Sequence, residues 1–236
     1  MVIKIVDIKG SDITEPIQKM NLSLLIGPDR FTCLVNHKHK IIRLTIFEWQ
    51  NEPDLLKTIL VNLEAENISI TNAESITLSV LKADEKIDYK VQADFIQQYF
   101  KRSYDSVQIK DGFETMLQVF KDKYPKKSAV FSYWQSGKIH LWALAYGAVD
   151  IYKSSYFRTA EDALYYVLQF YKQNNLSAEK DSLFLSGALS KDSTIFTLLY
   201  NYIADIEFVK IPTELKLENA EDLPEHLFFD ILSANL

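Results

Sequence analysis

Ala129-Val130-Phe131-Ser132-Tyr133-Trp134, followed by Lys138 to Tyr146 and Val149 to Tyr156, reads as three consecutive strands. All three runs are rich in aromatic and β-branched residues, and the short turn signals Gln135-Ser136-Gly137 and Gly147 separate them. They predict an antiparallel meander. Thr159 then has the chemistry of a helix N-cap, with Glu161 and Asp162 in the first turn, where carboxylates meet unpaired N–H groups and the positive end of the dipole. Ala160, Ala163, Leu164, Val167, Leu168 and Tyr171 recur at helical spacing and form one stripe to lay against a sheet; Asn174-Asn175 ends it. Ser182-Leu183-Phe184-Leu185-Ser186 is apolar on both faces, as a central strand covered by helices must be, and Gly187 permits a tight exit.

Moving outward, the first half repeats this order. A shift of 108 positions places Asp54, Leu56, Leu60, Asn67 and Ser69 on Asp162, Leu164, Leu168, Asn175 and Ser177, and Trp49, Ile59 and Ile68 on Phe157, Val167 and Leu176. The helices should therefore share start, stripe and stop. With one residue removed, Ser75, Leu78 and Ser79 fall on Ser182, Leu185 and Ser186, and further on Val107-Gln108-Ile109 matches Val209-Lys210-Ile211. Leu22 to Ile26, Arg30 to Val35 and Lys40 to Trp49 give the first meander, turning at Gly27-Pro28-Asp29 and near Asn36 to His39.

A helix over about 52 to 66 follows, with Pro53 in its first turn. Ile76 to Val80 is the buried strand, and a second helix carries Val91, Phe95, Ile96, Tyr99 and Phe100 on its apolar side. After the strand Val107 to Ile109, Asp111 and Glu114 open a third helix with Phe113, Met116, Leu117 and Phe120 inward. The second half adds a helix after Asp192-Ser193, a strand Ile206 to Ile211, an acidic connection Thr213 to Asp222, and a final helix from Pro224 carrying Leu227, Phe228, Ile231 and Leu232. Val2 to Ile8 has strand character, but Gly10 to Met20 breaks into turn-like residues, so residues 1–20 read as a lead-in. The expectation is two α/β domains, 1–125 and 126–236, divided near Lys121 to Lys127, each βββαβαβα.

The 236 residues suffice for two cores, and 47% hydrophobic against 25% charged residues is an ordinary globular balance. A net charge of -6 disfavours nucleic acid or an anionic membrane as partner. Cys33, the only cysteine, forms no internal disulfide and suits a reducing compartment. Lys4, Asp7 and Lys9 interrupt the apolar start, so neither a signal core nor a membrane-length run is expected, and the chain reads as cytoplasmic.

Two tandem units of this order resemble the actin-like ATPase superfamily, in which two ribonuclease-H-like domains face each other across a nucleotide cleft. Within it the chain is similar to an uncharacterised bacterial family of unknown function, whose members share an Asp-Ile lead-in and the opening Leu-Ser-Leu strand at Leu22. The superfamily's first phosphate motif is Asp-x-Gly between strands one and two; here the matching residues are Leu25-Ile26-Gly27, then Asp29 and Arg30. Its second Asp-x-Gly is replaced by Tyr133-Trp134-Gln135-Ser136-Gly137-Lys138, and of its Gly-Gly adenosine motif one glycine remains, in Ser186-Gly187-Ala188. Both carboxylates are gone. Without one to hold Mg²⁺, phosphoryl-transfer charge has no ordinary counter-ion, so ATP with Mg²⁺ is a disfavoured cofactor and none is expected.

The resemblance therefore implies a cleft built from Gly27, Asp29, Arg30, Ser136, Gly137, Lys138, Ser186, Gly187 and Asp192, with no catalytic residue assigned. Ser136-Gly137-Lys138 has turn amides and an ammonium that suit an anion, but the favoured reading is an ordinary hairpin turn with a solvated lysine. Ser186-Gly187 with Asp192-Ser193 suits an anion or ribose, and also a packing glycine beside a helix cap. Cys33, His37 and His39 are metal-ligand types, yet a hairpin tip with a buried thiol accounts for them, and no metal is expected. His140 and His226 are isolated, which leaves no triad. Tyr165 lies off its helix stripe and Tyr166 at the stripe's edge, as tyrosines at a protein interface would. The favoured function is a non-catalytic protein-binding or scaffold protein. A nucleotide-dependent kinase or ATPase with drifted motifs and a small-metabolite sensor are the alternatives.

Overall fold

In the computed structural model, which describes residues 2–9, 20–37, 40–49, 52–81, 87–125, 128–145, 148–212 and 224–234, Val2–Lys9 forms a strand, β1. The lead-in thus contains a full strand; the turn-like residues 10–19 lie outside the described residues, as do Gly147, His39, Lys126 and the connection 213–223. Met20–Ile26 (β2), Arg30–His37 (β3) and Lys40–Trp49 (β4) make the first meander, and β1 adds antiparallel to the outer edge of β4. Leu55–Ala65 (α1), Ala73–Val80 (β5), Ile87–Ser103 (α2), Val107–Asp111 (β6) and Gly112–Lys123 (α3) follow. Strands β5 and β6 run parallel to β2, which requires α1 and α2 as crossovers, and the sheet order is β1-β4-β3-β2-β5-β6.

Among the described residues the second sheet repeats this without the added strand. Ala129–Gln135 (β7), Lys138–Ala145 (β8) and Ala148–Tyr156 (β9) form the meander, then Ala160–Gln173 (α4), Ser182–Gly187 (β10), Thr194–Tyr202 (α5) and Ile206–Phe208 (β11), in the order β11-β10-β7-β8-β9. A 3₁₀ turn, Glu225–Phe228, leads into Phe229–Ala234 (α6). The fold is mixed α/β, with the two ribonuclease-H-like modules expected from the sequence.

The duplication holds at the level of backbone pairing. Ile26 pairs with Phe31 and Trp134 with Ile139; the β3/β4 ladder shifts register between Val35 and Asn36, and the β8/β9 ladder between Ala143 and Leu144. Each pair of positions is 108 apart. Asn67 and Asn175, also 108 apart, both take φ 56°, and among the described residues they are the non-glycines with positive φ. Asparagine enters the left-handed region at low cost and ends a helix there. The next N–H then bonds back into the helix, Ile68 to the Leu63 carbonyl at 2.9 Å and Leu176 to that of Tyr171 at 3.0 Å.

Several details depart from the sequence reading. Asp54 caps α1 by accepting from the Lys57 N–H, whereas Asp162 is the third residue of a capping box with Thr159, so α4 starts about a turn earlier than its copy. Ile76 pairs with Val107 and Leu183 with Ile206, so Val107 corresponds to Ile206 and not to Val209. Strand β11 stops at Phe208, and beyond it the Ile211 N–H is taken by the Glu225 carboxylate at 2.9 Å, which draws the chain off the ladder. On α2, Val91 and Phe95 are 63% and 60% exposed. The buried stripe is Tyr89, Ala93, Ile96 and Phe100, fixed in rotation by the Tyr89 hydroxyl donating to the Ile26 carbonyl at 3.0 Å.

The described residues divide into two compact units, one from Met1–Met116, Pro212–Asp222 and Asp230–Leu236, the other from Leu117–Ile211 and Leu223–Phe229. In the first unit, Leu22, Leu24 and Ile26 of β2 and Ile76, Leu78 and Val80 of β5 pack with α1 and α2. In the second, Val130, Trp134, Leu183 and Leu185 pack with Ala163, Val167, Phe170 and Tyr171 of α4 and Leu199 of α5. Phe170, absent from the predicted stripe, is buried with it.

Candidate functional site

Each unit carries a turn at the end of its first meander strand, where the resemblance leads one to expect a phosphate motif. In the first unit the Gly27 N–H bonds the Arg30 carbonyl at 2.8 Å, closing a tight turn. Trp49 holds it from outside: its backbone N–H reaches the Asp29 carbonyl at 2.8 Å and its indole N–H the Pro28 carbonyl at 3.0 Å. Arg30 is buried, and its guanidinium donates to the Asp230 carboxylate of α6 at 3.0 Å. A buried guanidinium with a carboxylate at hydrogen-bond distance is a structural ion pair. Leu25 is buried too.

In the second unit the turn is Ser136-Gly137, with Gly137 at φ +69° and its carbonyl accepting from the Phe157 N–H at 2.9 Å. Lys138 is only 4% exposed, with its ammonium 4.8 Å from the centre of the Tyr156 ring, which corrects the reading of a solvated lysine. Cross-strand register explains this, since Lys138 lies directly opposite Tyr156. Arg30 and Lys138 are 108 positions apart and so occupy one place in the repeat.

Beside this turn lies a polar cluster that spacing alone does not reveal. The His140 Nδ1 is 2.8 Å from the Tyr152 hydroxyl and its Nε2 3.0 Å from the Gln135 side-chain oxygen, so the ring donates to Gln135 and accepts from Tyr152. Burial, with Lys138 nearby, holds the imidazole down to about 3, neutral at physiological pH. The Gln135 amide nitrogen is buried with no hydrogen-bond partner among the described residues. His226 is likewise lowered by burial; its Nε2 lies 2.7 Å from the Leu189 carbonyl and its ring centre 4.1 Å from that of Phe208.

Gly187 has φ +85°, and a Cβ there would overlap the Trp134 carbonyl oxygen and come within 2.9 Å of the Trp134 nitrogen. Its missing side chain is filled by β7 backbone. Ser186 is fully buried, 3.5 Å from the His226 carbonyl. The cap of α5 is Ser193, whose hydroxyl accepts from the Phe196 N–H; Asp192 is exposed ahead of it. Cys33 is buried and its thiol pushed up to about 12 by desolvation, so it is inert. Among the described residues no group of three or more His, Cys, Asp or Glu is placed to hold a metal ion.

Asp230 was not legible as a partner of Arg30, being 200 residues away with no local signal. The same holds for the cluster Lys4, Asp7, Arg43 and Glu66, in which Arg43 bonds both carboxylates. Tyr165 is 59% exposed and makes an edge contact with Tyr166.

The two sheet orders and the paired turns define an actin-like ATPase fold. The chain is similar, at 14% identity and TM-score 0.61 over 81% of this chain and 91% of the other, to a Bacteroides thetaiotaomicron protein with an actin-like ATPase fold and unknown function. It is also similar to the ethanolamine utilization protein EutJ from Carboxydothermus hydrogenoformans, at 7% identity and TM-score 0.60 over 96% and 91% of the two chains. A third is the activator of the 2-hydroxyisocaproyl-CoA dehydratase from Clostridium difficile, at 7%, TM-score 0.55, 91% and 92%. Such identities establish fold alone. The chain belongs to the DUF3822 family of proteins of unknown function, whose sequence pattern matches residues 89–206. No curated protein matches it. Among the described residues no helix is long and apolar enough to cross a membrane.

Proposed function

We propose that this chain is a non-catalytic protein-binding or scaffold protein on a degenerate actin-like fold, acting in the cytoplasm without ATP or a metal ion. The observation that carries this reading is the engagement of Arg30, the cation of the first phosphate turn, in a buried ion pair with Asp230. Freeing it for a phosphate would leave that carboxylate buried without its cation, at a cost of about 3–5 kcal/mol. Gly187 supports the same reading, because its open side is closed by Trp134 backbone. The Clostridium difficile activator carries bound ADPNP; in this chain Leu25-Ile26-Gly27 and Tyr133 to Lys138, the stretches that match the superfamily's two Asp-x-Gly motifs, carry no carboxylate to hold a metal.

Titration calorimetry of the intact chain with ATP and Mg²⁺, run beside a hydrolysis assay, tests this. The expected result is no saturable heat at millimolar nucleotide and no turnover. Micromolar binding that is lost in Lys138→Ala would defeat the proposal. The unpartnered amide of Gln135 beside Ser136-Gly137 favours, as a second reading, a small ligand offering an acceptor to that turn.

A further inference from the structure

Strand β9 is the outer strand of the second sheet among the described residues, whereas its copy β4 is covered by β1. Because the two hairpins agree position for position, including the bulge, the register of β1 on β4 transfers to β9. On β4, Ile3 stands opposite Glu48, Asp7 opposite Thr45 and Ile8 opposite Leu44. The positions 108 further on are Tyr156, Lys153 and Tyr152. Tyr152 and Tyr156 are 41% and 56% exposed, and Ile151 is 45% exposed. A nine-residue edge strand with three large exposed side chains is one that proteins ordinarily cover or guard.

The charges are complementary as well. On the first sheet Asp7, carried by the added strand, meets Arg43 of β4 at 2.9 Å. On the second, Lys153 lies at the position facing the equivalent of Asp7, and its ammonium contacts neutral groups, the side-chain oxygens of Gln169 and Gln173 at 3.2 and 3.3 Å. A strand laid on β9 as β1 lies on β4 would bring a carboxylate to Lys153 and β-branched side chains to the two tyrosines.

We propose that the β9 edge accepts, antiparallel, an extended segment of a partner protein with β-branched residues opposite Tyr152 and Tyr156 and a carboxylate opposite Lys153. This rests on the protein-binding reading and names its site and its partner's chemistry. Main-chain hydrogen bonds supply the affinity, and the aromatic and ionic cross-strand pairs fix the register.

The probe is a fluorescein-labelled, end-capped peptide of residues 2–9, VIKIVDIK, titrated into the intact chain by anisotropy. Saturable binding is expected, weakened roughly five- to tenfold when the peptide carries Asp7→Lys. A chain with Lys153→Glu should reverse the preference and take the Asp7→Lys peptide better; a reversal cannot arise from partial unfolding. Binding without reversal would put the peptide elsewhere, for instance in place of β1, and overturn the proposal, as would no binding of either peptide. A concentration-dependent dimer in sedimentation that Lys153→Glu abolishes would give the edge to a second copy and overturn it too. ATP turnover would end the protein-binding reading while leaving the peptide result intact, so the two failures are distinguishable.

Discussion

Arg30 and Lys138 occupy one place in the repeat, the first residue after the first turn of each meander, and both are buried cations; Arg30 meets a carboxylate and Lys138 an aromatic ring. The strand pairing and loop length were copied; the turn conformation, with positive φ at Gly137 but not at Asp29, and the chemistry around it were not. The same contrast runs down both sheets. At the end of the central parallel strand the first unit has buried Val80 and the second Gly187; at the outer edge the first has β1 and its charge network, while among the described residues the second ends on β9. Backbone pairing constrains the positions that keep a ladder in register, so those persist. Side chains answer to whatever packs on them, and those surroundings diverged.

The comparison breaks most sharply at Gly187. Replacing it with alanine forces a Cβ into Trp134 backbone at φ +85°, and should cost more than about 4 kcal/mol, read by urea denaturation; Val80→Ala, a simple truncation at the repeat position, should cost only about 1–2. Equal costs would show that β10 relaxes freely. Next comes the ion pair. Arg30→Met alone should lose about 3–5 kcal/mol by stranding Asp230, and Arg30→Met with Asp230→Leu should recover most of that, because a fitted apolar pair avoids the desolvation penalty. Additive losses in the double variant would argue against a pair buried in this way.

A pH series sharpens the difference between the two sheets. His140 has a folded value near 3 against an unfolded value near 6.5, so below about pH 6.5 the unfolded chain binds a proton that the folded chain does not. Its contribution to stability is complete above that window and declines as pH falls through it, by up to about 1.4 kcal/mol per pH unit. His226 acts in the same direction. His140→Gln should flatten the slope between pH 6.5 and 4.5; Thr32, at the repeat position, contributes no such titration. An unchanged slope would place the proton elsewhere.

The smallest effect tests the copied helix ends. Asn67→Ala and Asn175→Ala should each cost about 1 kcal/mol, and the glycine variants almost nothing, since φ 56° is strained only by a Cβ that lacks a compensating local bond. Unequal costs would mean that one cap has been taken over by its surroundings.

Where the sequence reading succeeded, the signals were local. Period-two runs placed β7, β8 and β9 within a residue or two, Thr159 marked the start of α4, and one constant shift of 108 survived into the hairpin bulges and the asparagine caps. The fold class was likewise legible. Where it failed, the deciding neighbour was distant. Val91 and Phe95 fit a helical stripe as well as Tyr89 and Ala93 do, and only the sheet beneath α2 chose between them. The burial of Lys138 depended on the cross-strand position of Tyr156, and the engagement of Arg30 on a carboxylate 200 residues away. By itself the sequence determined which segments pair and in what order, because backbone periodicity, capping and turn chemistry act within a few residues. Only the tertiary structure decided which charges are committed and which side chains are buried, because desolvation and ion pairing depend on what the fold brings into contact.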